Sequence, residues 1–208
     1  HHRSSAASDV YKRQYEYIVY DNFEFFTFAQ VAPDLKDRVL TVNGVSKSHC
    51  MTGWRIGYAV GPEILIKAMI KIQGQSTSNA SSISQYAALA GISGSNDFLK
   101  PCLKAFDERR RFVVSKLNNI QGISCLLPKG AFYAYPNVSG LVGKKTNEGI
   151  LLENDTDIVE WLLETAEVAA VPGVAFGLEP FFRISYATSL DLLKEAMNRI
   201  EKAVLSLS

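Results

Sequence analysis

Apolar and polar positions along the chain follow two periods, and these divide it into strands and helices. The run from Arg38 to Val45 is apolar and β-branched over a short span, which predicts a buried strand, and Tyr58-Ala59-Val60-Gly61 predicts a second. Pro62 suits the first position of a helix, with Leu65, Ala68, Met69 and Ile72 on its apolar face. A polar loop, Gln73 to Ser82, precedes a further helix from Ile83 to Ile92. Beyond Gly94-Ser95-Asn96, Leu103, Phe106, Val113 and Leu117 recur at three- and four-residue steps, predicting one helix from Pro101 to Leu117. Ile123 to Leu127 predicts a short strand, and the glycine- and lysine-bearing stretch 138–154 a mobile loop. Thr156 is expected to cap a helix that carries Ile158, Val159, Leu162, Leu163 and Ala166 on one side. Between Phe181 and Ala187, alternation puts Phe182, Ile184 and Tyr186 on one strand face and Arg183 with Ser185 on the other. Ser189 to Leu207 closes the chain as an amphipathic helix through Leu192, Leu193, Ala196, Ile200 and Val204.

Residues 1–14 (HHRSSAASDVYKRQ) fit neither period. They are polar and rich in small residues, and they abut a run typical of a protein interior. They are read as a tag, a cloning scar or a misjoined segment to be kept out of fold reasoning, the alternative being a frayed N-terminus.

Composition narrows the function classes. A chain of 208 residues, 47% of them hydrophobic, can bury a substantial core. The net charge of +1 gives no electrostatic case for nucleic acid or an anionic membrane. Arg109-Arg110-Arg111 falls on a helical pattern and is expected on a solvated face. No apolar run approaches the roughly 18 to 20 residues of a spanning helix, and no secretory signal is visible. Cys50, Cys102 and Cys125 are odd in number without a Cys-x-x-Cys spacing, which points to unpaired thiols in a reducing, cytoplasmic compartment. His1, His2 and His49 lack the spacing of metal ligands, so no metal site is expected.

The informative chemistry lies in Val45-Ser46-Lys47-Ser48-His49-Cys50-Met51-Thr52-Gly53-Trp54-Arg55-Ile56-Gly57-Tyr58. A lysine follows the first strand in a polar loop, and an arginine stands eight residues later between two glycines. Lysine forms a Schiff base with a carbonyl, and arginine's fixed fork matches a phosphate. Gly53 and Gly57 are expected to let the loop fold back so that the two heads converge. A lysine and an arginine in a loop are ordinarily solvated surface; the full run, rather than the pair, points to a cofactor bearing an aldehyde and a phosphate on one small ring.

This run resembles the pyridoxal-phosphate lysine signature of the class I aminotransferases, and Met51 to Tyr58 resembles the bacterial aspartate aminotransferase branch; Cys50 stands where the family has Ser, Ala or Gly. Tyr15 to Asp21 resembles the segment after the family's cofactor-binding aspartate strand. Val171-Pro172-Gly173-Val174-Ala175-Phe176-Gly177 followed by Phe181 to Ala187 resembles its substrate-arginine region. The resemblance runs from Tyr15 to about Leu207. It implies an α/β fold, the C-terminal part of the fold-type I pyridoxal-phosphate transferases, with residues 15–95 ending the large-domain sheet and 96–208 forming the small α+β domain.

The resemblance further implies a ping-pong transamination between an amino acid, aspartate foremost, and a 2-keto acid such as 2-oxoglutarate. Lys47 is the implied catalytic residue. Lys47, Ser46, Arg55 and Tyr15 are implied at the cofactor, and Arg183 at the substrate's α-carboxylate with Gly130 nearby. Ser76, Thr77, Ser78 and Asn79 are implied candidates for the phosphate of a partner subunit in a homodimer. Read from the residues alone, Tyr15 is a packed aromatic, Arg183 a structural ion pair, and the Ser76–Asn79 stretch a polar linker. Two other functions stay open: transfer from alanine, aromatic amino acids or kynurenine, and a non-catalytic fragment or interaction module. Family members also place an aspartate three residues before the tyrosine matched by Tyr15, to hold a proton on the cofactor's ring nitrogen; here that position is Lys12.

Overall fold

The computed structural model of the chain describes residues 9–208. Its contacts divide the chain into two compact units, the first ending at Pro101 and the second spanning Cys102–Ser208. Of the stretch 1–14 set apart in the sequence, residues 1–8 lie outside the described residues, whereas Asp9–Lys12 form strand β1.

In the first unit β1 pairs in parallel with β2 (Val39–Asn43), and β2 pairs antiparallel with β3 (Tyr58–Val60). β2 is the predicted buried strand: Val39, Leu40 and Asn43 are buried in it, and Val45 just beyond it is 1% exposed. The short α1 (Phe28–Val31) starts at a capping box, in which the Thr27 hydroxyl accepts from Gln30 N and the Gln30 side chain accepts from Thr27 N. Helices α2 (Glu63–Ser76) and α3 (Ser82–Ser93) follow β3. The face expected to be buried on α2 is not: the helix has no buried residue, and Ile64, Met69, Ile70 and Ile72 are exposed. Its apolar residues are spread around the helix, and only Leu65 and Ile66 are even half-buried.

The second unit contains α4 (Leu99–Asn118, whose first turn belongs to the first unit), β4 (Tyr133–Ala134), α5 (Asp155–Ala166), β5 (Val171–Pro172), β6 (Phe182–Ser185) and α6 (Leu190–Leu205). Its sheet has the order β4-β6-β5 with antiparallel neighbours. β6 alternates as its pattern demands, with Phe182 and Ile184 buried, Arg183 half-buried and Ser185 exposed. α6 buries Leu193, Met197, Ile200, Ala203 and Val204, while Leu192 turns to solvent.

Several expectations are corrected here. Ile123 to Leu127 is not a strand; only Ser124 bridges to Asn137. The Asn118 side chain at the end of α4 takes both backbone groups of Cys125, at 2.7 and 2.9 Å, so the ladder cannot continue. The stretch 138–154 is no loose loop, because Val138, Leu141 and Leu152 are at most 1% exposed and Thr146 N donates to Ile150 O. The cap of α5 is Asn154, whose side chain accepts from Thr156 N and Asp157 N, and not Thr156. Trp161 replaces Leu163 on the buried face of that helix.

The arginine cluster is also corrected, since Arg110 is fully buried. It pairs with Asp107, and its Nη1 donates to the Pro128 carbonyl at 2.6 Å, tying α4 to the approach to β4. Arg110→Ala is expected to lower unfolding stability by about 2–3 kcal/mol, through lost packing and an orphaned carbonyl. Arg111→Ala, at an exposed neighbour that also pairs with Asp107, should stay within about 0.5 kcal/mol. Urea unfolding of the two variants checks this, and equal losses would show that the buried guanidinium has no structural role.

Candidate functional site

In the first unit the topology gathers one end of the sheet. β1 and β2 are parallel, so the turn carrying Tyr15 (after Lys12) and the turn carrying Lys47 (after Asn43) leave the same end; antiparallel β3 starts there, at Tyr58, just after Arg55. This is the carboxyl end of the parallel strands, where open α/β sheets bind ligands. Glu16 joins two of these connections: its carboxylate pairs with Arg13 and accepts from Asn43 Nδ2 at 2.6 Å, while Asn43 Oδ1 accepts from Gly44 N.

Lys47 is half-buried in a turn closed by His49 N donating to Val45 O at 3.1 Å. Buried Val45 and Ser48 anchor that turn from below. His49 fastens it sideways: its Nε2 meets the Gly91 carbonyl on α3 at 3.1 Å, which makes Nδ1 the acceptor for the Ser48 hydroxyl at 2.8 Å. A side chain at Gly91 would begin 3.2 Å from the His49 ring, so glycine there permits the approach. Tyr17 and Phe98 flank the imidazole at ring distances of 6.2 and 5.3 Å.

The expected part of the glycines is corrected. Neither Gly53 nor Gly57 takes a positive φ; the left-handed residues of the loop are Cys50 (φ 54°) and Arg55 itself (φ 50°). Arg55 Nη1 donates to the Thr52 carbonyl at 2.8 Å, and the Thr52 hydroxyl donates to the Ser46 carbonyl at 3.0 Å. The arginine arm is thereby tied to the residue before Lys47, with its guanidinium exposed at that end of the sheet. Tyr15 is half-buried in the turn 14–17, where its carbonyl accepts from Ile18 N. Burial, helped by Glu16 and Tyr17 and opposed by Arg13, raises the Tyr58 phenol above its ordinary pKa.

Ser76, Thr77, Ser78 and Asn79 are exposed around the end of α2. Ser78 is left-handed (φ 62°), its N–H donates to Gln73 O, and Asn79 Nδ2 donates to Ala80 O. Of these four only Asn79 lines a cleft of about 420 Å³ that also takes in Ile56, Gly57, Tyr58, Gln85 and Ile92.

In the second unit Arg183 projects from β6 between two aromatic rings, Tyr133 and Phe176, each centred 4.4 Å from its guanidinium carbon. The structural ion pair is not formed, for none of the ion pairs among the described residues involves Arg183. Both rings lie within cation–π reach of the guanidinium, whose planar fork of N–H donors matches a planar anion. Gly130 is half-buried and offers only backbone; it precedes left-handed Ala131, whose carbonyl accepts from the Tyr186 hydroxyl at 3.1 Å. The Tyr135 hydroxyl is shared between the carbonyls of Gly173 and Leu178; burial and Asp155 raise its pKa and Arg183 lowers it.

No site role was read in the sequence for Tyr133, Phe176, His49 or Asp155. Tyr133 was open to detection, since a residue opposite Ser185 shares a sheet face with Arg183.

Comparison with known proteins follows the same lines. Residues 13–200 match the family model described as aminotransferase class I and II. The aspartate aminotransferase of Rhizobium meliloti strain 1021 is 57% identical over 194 residues, covering 93% of this chain and 47% of that protein. The aspartate/prephenate aminotransferase of Cereibacter sphaeroides is 54% identical over 194 residues, covering 93% and 48%. Among solved structures, the aspartate aminotransferase from Rhizobium meliloti superposes with a TM-score of 0.93 at 55% identity, over 96% of this chain and 50% of that one. An aromatic aminotransferase from Pyrococcus horikoshii superposes at 0.79 with 34% identity, over 93% and 50%. The chain therefore spans about half the length of the relatives it matches.

Proposed function

Because the chain belongs to the class I and II aminotransferases, whose members depend on pyridoxal phosphate, we propose that it carries the lysine-bearing part of a site that transfers an amino group between an amino acid, aspartate foremost, and a 2-keto acid such as 2-oxoglutarate. The observation that supports this reading is that the segments carrying Tyr15, Lys47 and Arg55 leave or enter the three-stranded sheet at one end. The preference for aspartate is supported by the names of the relatives in Rhizobium meliloti and Cereibacter sphaeroides.

The donor set fits the cofactor at two of its ends. Arg55, exposed and engaged through Nη1 by a single carbonyl, has donors to spare for the phosphate. Lys47 Nζ would hold the carbonyl carbon, with Ser46 beside it, and the Tyr15 hydroxyl would hold the ring oxygen. The sequence departs from the family at the position implied for the ring nitrogen, where Lys12, a residue without a side-chain acceptor, stands in place of aspartate. When bound, the group supplies an electron sink for the substrate's α-carbon. Lys47 Nζ is the base that moves the α-proton, and Arg183 orients the substrate through its α-carboxylate. Arg55→Ala is expected to weaken cofactor affinity about tenfold or more, by loss of charge-assisted bonds of roughly 1.5–3 kcal/mol. A fluorescence titration measures this, and unchanged affinity would remove Arg55 from the site.

One observation favours a role in assembly as well. α2 buries no residue, and Ile64, Ile70, Ile72, Ile83, Tyr86 and Leu89 are exposed on α2 and α3. Apolar surface of this extent suits cover by further polypeptide, whether the remaining length of a full protein or a second subunit of a homodimer.

A further inference from the structure

We infer that Asp155 is a positioning residue for Arg183: its buried carboxylate fixes the segment 173–181, and with it the Phe176 ring that lies within cation–π reach of the guanidinium. The inference rests on the reading of Arg183 as the carboxylate-binding arginine.

Asp155 is the first residue of α5 and is 1% exposed. Its Oδ2 accepts from Val174 N and from Phe181 N, both at 3.3 Å, so one oxygen holds the two ends of the segment. Oδ1 is buried and accepts no hydrogen bond. A carboxylate taken out of water for two long bonds on one oxygen adds little to stability, so stability does not explain its place. What it fixes is a closed loop with no slack. Gly173 N donates to Phe181 O at 2.7 Å, and a Cβ on Gly173 would lie 2.1 Å from Leu178 O and 2.9 Å from Asp155 Oδ2. Tyr135 stacks on Phe181 at 5.2 Å, and Phe176 meets Tyr135 edge-on at 6.1 Å. The helical turn Gly173–Phe176, held at Val174, then carries Phe176 to 4.4 Å from the Arg183 guanidinium, the same distance as Tyr133. The carboxylate thus acts on the arginine through a backbone turn and a ring.

Side-chain NMR of the full 208-residue chain tests this. The Nε–Hε resonance of Arg183, identified by its loss in Arg183→Lys, is displaced by the two rings. In Asp155→Ala it should move toward its position in Phe176→Leu, and the Val174 and Phe181 amides should exchange at least about tenfold faster, as expected for loss of a charge-assisted bond. In Asp155→Asn, which keeps a weaker neutral acceptor, both changes should be partial. An unchanged resonance in either folded variant overturns the inference, and the asparagine variant decides should the alanine variant not fold. Acetate is the separate probe of the underlying reading: it should shift the Arg183 resonance of the unsubstituted chain. If acetate has no effect while the Asp155 variants behave as expected, positioning stands and the substrate role of Arg183 fails.

Discussion

Substituting Lys12 by aspartate is expected to raise the pH at which the bound cofactor's ring nitrogen loses its proton by at least about 1 unit, the lower end of what a neighbouring charge produces. The sign follows from charge. An ammonium group disfavours a protonated ring nitrogen and lowers its pKa, whereas a carboxylate accepts its hydrogen bond and raises it. Lys12 ends β1 opposite Val42, at the end of the sheet from which the Lys47 turn also leaves. Nitrogen-15 NMR of labelled cofactor on the two proteins checks the shift. If the ring nitrogen titrates alike in both, the residue at position 12 does not govern it.

Lys47→Ala should abolish covalent cofactor capture outright. Lys47 is half-buried in a turn whose anchors are Val45, Ser48 and the His49 contact to Gly91. Those anchors do not depend on the Lys47 side chain, so the variant should still unfold cooperatively in urea. Retained near-ultraviolet absorbance of a protein-bound imine in this variant would assign the capture to another lysine.

Much of this was legible in the chain because periodicity reports burial against an element's own unit. β2 and β6 bury the sides their patterns select, and α5 and α6 do so apart from Leu163 and Leu192. The pattern misled where the partner was a side chain or where a helix carried apolar residues all around. Asn118 captured Cys125 and stopped a strand that composition favoured. The apolar face expected on α2 is not buried, and the apolar residues of that helix lie all around it. Arg110 was hidden in a charged triplet, although it stands on one helical face with Val113, Val114 and Leu117, all buried. At the candidate site, the glycines were expected to fold the loop back, but left-handed Arg55 and the Thr52 bridge close it instead. The contact of Tyr133 with Arg183 and the two Asp155 bonds, which span 19 and 26 residues, join segments far apart in the chain, which no local pattern records.

Peptide mapping after borohydride reduction of the 208-residue chain with pyridoxal phosphate addresses the Lys47 assignment directly. A single reduced adduct on the peptide containing Lys47, blocked when the cofactor lacks its aldehyde, is the expected result. Adducts spread over exposed lysines such as Lys67 and Lys100, with none at Lys47, would contradict it.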